Sequence, residues 1–237
     1  MKEIDTKNQE MAVNRDPIIE FSINAHDFDI SELGYTSEDD LDEKEIKRLE
    51  NATIRKSDEY TRYMAYLKNE LDLNMCELVP GLNPEENDVS IEIHHYPLSL
   101  FEITQIVSRK MLKDVEAGNK EYITEFEIAA QVMKEHYENR IGLVPLTNTL
   151  HEMAHSESMP IPSKCINGNY GEFLKKYADV ISLEELNNIT TKVTSGDSKE
   201  ADEMRNQMLK KKIVNYKVTY NDEEEDADDI AAYSNIF

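Results

Sequence analysis

The sequence predicts an α+β fold, mainly helical, with one small unit of two strands and a helix that carries histidines. Three observations lead there. From Leu41 onward apolar residues recur at spacings of three, four and seven, the signature of a helix with one buried face. Ser or Thr precedes Glu by three residues at Ser99/Glu102, Thr124/Glu127 and Ser182/Glu185, the reciprocal box that satisfies orphan donors at a helix start. Two β-branched runs, VSIEIHH and IGLVPLTNT, interrupt the helical pattern, and each leads to a pair of histidines.

Residues 1–40 are rich in Asp, Glu, Asn and Ser and lack helical periodicity, so they read as a loosely ordered acidic arm with at most one short strand. A single α+β domain should occupy 41–212, with the histidine-bearing unit at 89–158. Its first element is a long amphipathic helix over 41–70, burying Ile46, Leu49, Thr53, Tyr60, Tyr63, Met64 and Leu67. The tyrosines read as core packing. MCELVP and VSIEIHH then read as two strands around the turn-rich GLNPEEND.

Ser99 should open a helix to about Lys113 that buries Phe101, Ile106, Val107 and Met111. Thr124 should open another to about Glu138 that buries Ile128, Val132 and Met133. IGLVPLTNT is an extended piece ending at the helix of His151 and His155, where Thr149/Glu152 reads as a further capping box. Helices follow near 170–180, 183–192 and 198–211. Residues 213–237 form a disordered acidic tail, since DEEEDADD at 222–229 holds seven acids in eight and repels itself.

Composition excludes several classes. No run of about 18 apolar residues is present to span a membrane. The polar start MKEIDTKNQEM has no apolar stretch of a secretory leader, which predicts a cytoplasmic protein. Cys76 and Cys165 have no CxxC spacing, so neither a disulfide framework nor a thiolate metal site is expected. The net charge of −23 excludes strong nonspecific affinity for nucleic acid. Its distribution matters, however: residues 1–88 hold 23 acids and 10 bases, whereas 89–180 hold 13 and 9. The segment with the histidine pairs is nearly neutral.

Four of the six histidines fall into two groups, His94-His95 at a strand end and His151 and His155 four apart on a helix. Neighbours on a strand face opposite ways, whereas i and i+4 on a helix share a face. One of the adjacent pair can therefore join the helical pair around a metal while the other faces a different target. Neutral imidazole suits both metal ligation and proton abstraction.

The strings EIHHYPLS and GLVPLTNTLHEMAH resemble the two halves of the ββα-metal motif of the HNH endonucleases, whose bacteriocin members carry a His-x3-His helix. The resemblance implies a DNA endonuclease. His94, His151 and His155 would hold a divalent ion (zinc, magnesium, manganese or nickel), and His95 would be the general base. Thr147 and Leu150 stand where some members have Cys, so no second, structural zinc is implied. Gly142 stands where an Asn that orients the base often precedes the second strand, with Asn139 and Asn148 nearby. The strands are joined through roughly fifty residues and two helices, where a short hairpin loop suffices for antiparallel neighbours. Arg140 reads either as a phosphate clamp or as a helix-end partner.

The style of the chain also resembles phage proteins, which would place it in the host cytoplasm. Its acidic tail with an apolar end resembles the docking tails of single-stranded-DNA-binding and clamp-binding proteins. Ile230, Tyr233, Ile236 and Phe237 would then dock on a sliding clamp, a polymerase or another replication or transcription partner. The alternative is a non-catalytic phage adaptor with a degenerate ββα fold. A third reading takes His151-Glu152-x-x-His155 as an H-E-x-x-H zinc protease signature, with Glu152 activating water and Glu172 as third ligand. His26 and His136 read as structural, and Lys210-Lys211-Lys212 as phosphate contacts or helix-end cations.

Overall fold

The computed structural model describes residues 12–17, 34–79 and 81–207. In chain order they form β1 (Gly34–Tyr35), a 3-10 turn (Glu38–Asp40), α1 (Glu43–Arg48) running into a π-helical segment (Leu49–Ile54), and α2 (Asp58–Asn69). The single turn α3 (Pro84–Asn87), β2 (Ile91–His95), α4 (Leu100–Glu116), β3 (Ile123–Thr124) and α5 (Glu125–Tyr137) come next. After them stand β4 (Leu143–Thr147), α6 (Asn148–His155), a second 3-10 turn (Ser163–Cys165), α7 (Tyr170–Lys176) and α8 (Leu183–Gly196). Residues 199–207 are again helical. The fold is α+β and mainly helical. The tail at 213–237, the lysines at 210–212, His26 and most of the arm lie outside the described residues.

All three Ser/Thr-x-x-Glu boxes form. At the start of α4, Glu102 Oε2 accepts from the Ser99 backbone N–H at 2.7 Å while the Glu102 N–H donates to Ser99 Oγ at 3.2 Å. Thr124 and Ser182 cap α5 and α8 in the same way. The proposed Thr149/Glu152 box does not form. Helix α6 starts two residues earlier, and Thr147 Oγ1 accepts from the Leu150 N–H.

The helix expected over 41–70 is broken. Ser57 takes extended backbone angles and caps α2 through its hydroxyl, which accepts from the Tyr60 N–H at 3.1 Å. Asp58 and Glu59 follow in the first turn, where acids are stabilised by the helix dipole. Before the break the backbone widens, and the Arg55 N–H reaches Glu50 O five residues back. Residues 75–79 of MCELVP are likewise no strand. They run as irregular, bent chain along β4, touching it where the Glu77 N–H donates to Pro145 O at 3.0 Å.

Two apolar clusters organise these elements. The larger joins Ile46, Leu49 and Ile54 to Leu67 of α2, Ile103, Ile106 and Val107 of α4, Ile128 and Val132 of α5, and Phe173 of α7. Phe101 and Met111, expected in the core, are only partly buried at its margin. The smaller cluster lies under the β2/β4 pair and holds Ile91, Val144, Leu146, Leu150, Met159, Ile161 and both cysteines. Strands β2 and β4 are antiparallel in the register Ile91↔Thr147 to His95↔Leu143, and α6 packs on both. Strands β1 and β3 form a second, minimal antiparallel pair. Every residue of β4 is buried, which is why LVPLT reads as a continuous apolar run without alternation.

Candidate metal centre

The pleat of β2 sends His94 and His95 to opposite faces. His94 meets the exposed face of α6, where His151 and His155 stand one turn apart. Ring centroids lie 5.1 Å apart for His94 and His151, 4.8 Å for His94 and His155, and 4.5 Å for His151 and His155. One ligand nitrogen from each ring lies within 4.8 Å of the others, so a small tilt of the rings lets them share one ion.

The donor set fits a divalent metal on two further counts. His94 is 7% exposed, and its Nδ1 is buried with no hydrogen-bond partner. An unpaired buried nitrogen is costly unless something coordinates it. His151 Nδ1 stands 2.6 Å from Glu92 Oε2, which leaves Nε2 to ligate and reproduces the carboxylate–histidine arrangement that orients metal ligands. Burial, then the neighbouring His151 and His155, push His94 down to about 3. Lys192 and Arg55 add to that shift. Burial also lowers His151, against the opposing pull of Glu92. Both are therefore neutral at pH 7, the form that binds metal.

His95 turns the other way, into the core. Its Nε2 lies 3.0 Å from His136 Nε2, and its ring stacks on Tyr60 with centroids 6.3 Å apart. His136 is fully buried, and its Nδ1 lies 2.8 Å from Val132 O. Tyr63 donates its hydroxyl to His136 O at 2.9 Å. Burial, followed by the neighbouring His136, holds His95 well below the usual histidine range, and burial takes His136 down to about 4. Tyr60 and Tyr63 of α2 are core residues, as expected, and form the wall behind His95, whereas Tyr66 is only partly buried.

A cavity of about 600 Å³ opens beside this unit. His94, His95 and His155 line it on one side and Lys192 and Ser195 of α8 on the other. Among the described residues no acid or cysteine joins the three-histidine cluster, so Glu172 is not a fourth member and Glu152 points away as an exposed residue of α6. Arg140 is held by Glu135 at 2.8 Å and by Glu138, which makes it a helix-end partner. Gly142 explains the missing Asn: a Cβ there would stand 2.0 Å from Tyr96 O. Asn148 is exposed at the start of α6, and Asn139 terminates α5 with a left-handed φ of 56°.

The structure brings His94, His151 and His155 together and places His95 apart from them. Sequence reading missed Glu92, Lys192, Arg55 and the pairing of His136 with His95. Glu92 was findable, since it lies two residues before His94 on the same strand and so shares its face. The others depend on packing between distant elements.

Compared with known proteins, the chain matches the bacteriophage G278-like virion protein family over residues 1–224. It belongs to that family. The phage character expected from the sequence is therefore correct. The description of the G278-like family names a component of the particle and no catalytic activity. No curated protein and no solved structure matches this G278-like protein. No helix among its described residues is long and apolar enough to cross a membrane.

Proposed function

We propose that this phage virion protein is a metal-dependent phosphodiester hydrolase of the ββα-metal type, acting on DNA. The observation that carries the reading is the convergence of His94, His151 and His155 from a strand and a helix, with the buried Nδ1 of His94 unpaired. His94, His151 and His155 would hold a divalent ion, which would supply stabilisation of the negative charge that develops at phosphorus and on the leaving oxygen. With no fourth side chain in the cluster among the described residues, three histidines would leave room for a substrate oxygen. The adjoining cavity has room for a phosphodiester, and its wall holds Lys192 together with Glu102 and Glu157, with which Lys192 pairs at 3.9 and 3.6 Å. His95, which packs against the core yet also lines this cavity, takes the proton of the attacking water as the new P–O bond forms and the old one breaks.

Metal analysis of the purified protein, followed by plasmid nicking with added divalent ions, tests this. Wild type should bind one equivalent and nick, His95→Ala should bind metal without nicking, and Glu152→Gln should do both. Nicking by His95→Ala at the wild-type rate overturns the role of His95. A protein that neither binds metal nor nicks overturns the whole reading.

The family description and the 6% exposure of His95 favour a second reading. In it the same histidines and ion fasten α6 to the β2/β4 pair in a non-catalytic particle protein. Metal-dependent stability without hydrolysis of any DNA form supports that reading. Docking of the acidic tail on a replication or transcription partner remains a separate proposal, tested by whether a chain ending at Asn221 loses binding partners.

A further inference from the structure

His136 has no part in the motif that relates β2, β4 and α6, yet it contacts the one histidine that faces away from the metal ligands. A carbonyl oxygen can only accept. The 2.8 Å contact between His136 Nδ1 and Val132 O therefore places the proton of His136 on Nδ1 and leaves a lone pair on its Nε2. His95 Nε2 stands 3.0 Å from that lone pair. The proton between the two rings must come from His95. We propose that His136 is a positioning residue that locks His95 as its Nε2-protonated tautomer, so that Nδ1 is the one ring nitrogen with which His95 can accept a proton.

The surroundings leave the pair little freedom. Tyr60 stacks on His95 and meets His136 edge-on, with centroids 6.1 Å apart. Tyr63 packs edge-on against His136 at 5.8 Å and binds its carbonyl through the hydroxyl. A ring flip of either histidine breaks a buried hydrogen bond and disturbs this stack. The place filled in related motifs by an amide side chain near the second strand is closed here by the contact of Gly142 with Tyr96, and the orienting group comes from α5 instead.

The catalytic consequence rests on the hydrolase reading, whereas the tautomer does not, and the experiment separates them. Nitrogen-15 spectra of histidine-labelled full-length protein should show His95 protonated at Nε2 and His136 at Nδ1. His95 protonated at Nδ1 overturns the proposal, whatever the activity. His136→Gln retains an acceptor for His95, and His136→Leu removes it. Against wild-type nicking, His136→Leu should lower kcat by 10- to 100-fold with KM and bound metal unchanged, and His136→Gln should recover most of the loss. Equal kcat for all three overturns the positioning role. If wild type binds metal but never nicks, the hydrolase reading fails while the spectra still decide the tautomer. If His136→Leu does not fold, the comparison of His136→Gln with wild type and the wild-type spectra carry the test.

Discussion

Glu92 Oε2 stands 2.6 Å from His151 Nδ1, so a carboxylate on β2 fixes the ring of a histidine on α6. The same strand thus carries His94 and the carboxylate that orients His151, two of the three proposed metal ligands. Glu92→Gln should weaken divalent metal binding by roughly 10- to 100-fold, the usual effect of losing such a partner. His155→Ala should abolish stoichiometric binding. Titration followed by elemental analysis measures both, and unchanged affinity in Glu92→Gln would show that the carboxylate does not serve the ligand.

Metal should also stabilise the fold, because the three histidines come from two elements that must be docked to meet. At an ion concentration a hundredfold above Kd the gain is about 2.7 kcal/mol, or roughly 5 to 10 °C in Tm for a chain of this size. Chelator should reverse it. A Tm indifferent to both metal and chelator contradicts the prediction.

Glu135 is fully buried on α5, where Lys176 at 2.5 Å, Arg140 at 2.8 Å and the Tyr177 hydroxyl at 2.8 Å converge on it. Burial alone would raise this carboxyl, but the hydrogen bonds of Lys176, Arg140 and Tyr177 outweigh it and hold the group below its ordinary range. Glu135→Gln keeps the volume and removes the charge that two cations share. It should destabilise by about 3 kcal/mol, read from urea midpoints.

His136 makes stability acid-sensitive. Its folded value is about 4, because burial disfavours the cation, whereas the unfolded chain titrates near 6.5. The unfolded state therefore binds the proton first. Stability is intact above about 6.5 and falls as pH drops toward 4, by on the order of 3 kcal/mol from this group alone. His95, Glu135 and Arg55 also act on this part of the core, so the diagnostic is a difference. His136→Gln should flatten the slope of the unfolding free energy between pH 6.5 and 4 relative to wild type, and parallel slopes would assign the acid sensitivity elsewhere.

Gly142 is required for close approach, with its own carbonyl accepting from the Tyr96 N–H at 2.9 Å. Gly142→Ala should destabilise by roughly 2 to 3 kcal/mol through overpacking against backbone that cannot yield. Gly142→Asn should do at least as much harm. Thermal melts distinguish this from a tolerated change.

What the sequence shows clearly is what short-range chemistry decides. Ser99, Thr124 and Ser182 cap helices because their hydroxyls and the Glu three residues on act within one turn. His94, His151 and His155 meet because strand and helix periods dictate their faces. The break at Ser57 was also legible, since Ser57-Asp58-Glu59 is a helix start, but the apolar spacing continues across it. The pairing of His95 with His136 was not legible. It depends on how α5 leans against β2, a matter of volumes in the larger core rather than of any local pattern. MCELVP misled because Cys76, Leu78 and Val79 fill the smaller core from irregular chain, and burial looks the same in either conformation.

Strands β2 and β4 are neighbours in space but are separated in the chain by residues 96–142, which hold α4, β3 and α5. Closing a flexible loop of about fifty residues carries an entropic cost of roughly 3 to 4 kcal/mol before the first ladder bond offsets it. Docking of α4 and α5 shortens that loop, so packing of the inserted helices lowers the cost of pairing the strands that bring the histidines together. With an ion held by His94, His151 and His155 as proposed, a chain whose inserted helices are unpacked would have no place for it, so bound metal would report that the inserted helices have docked.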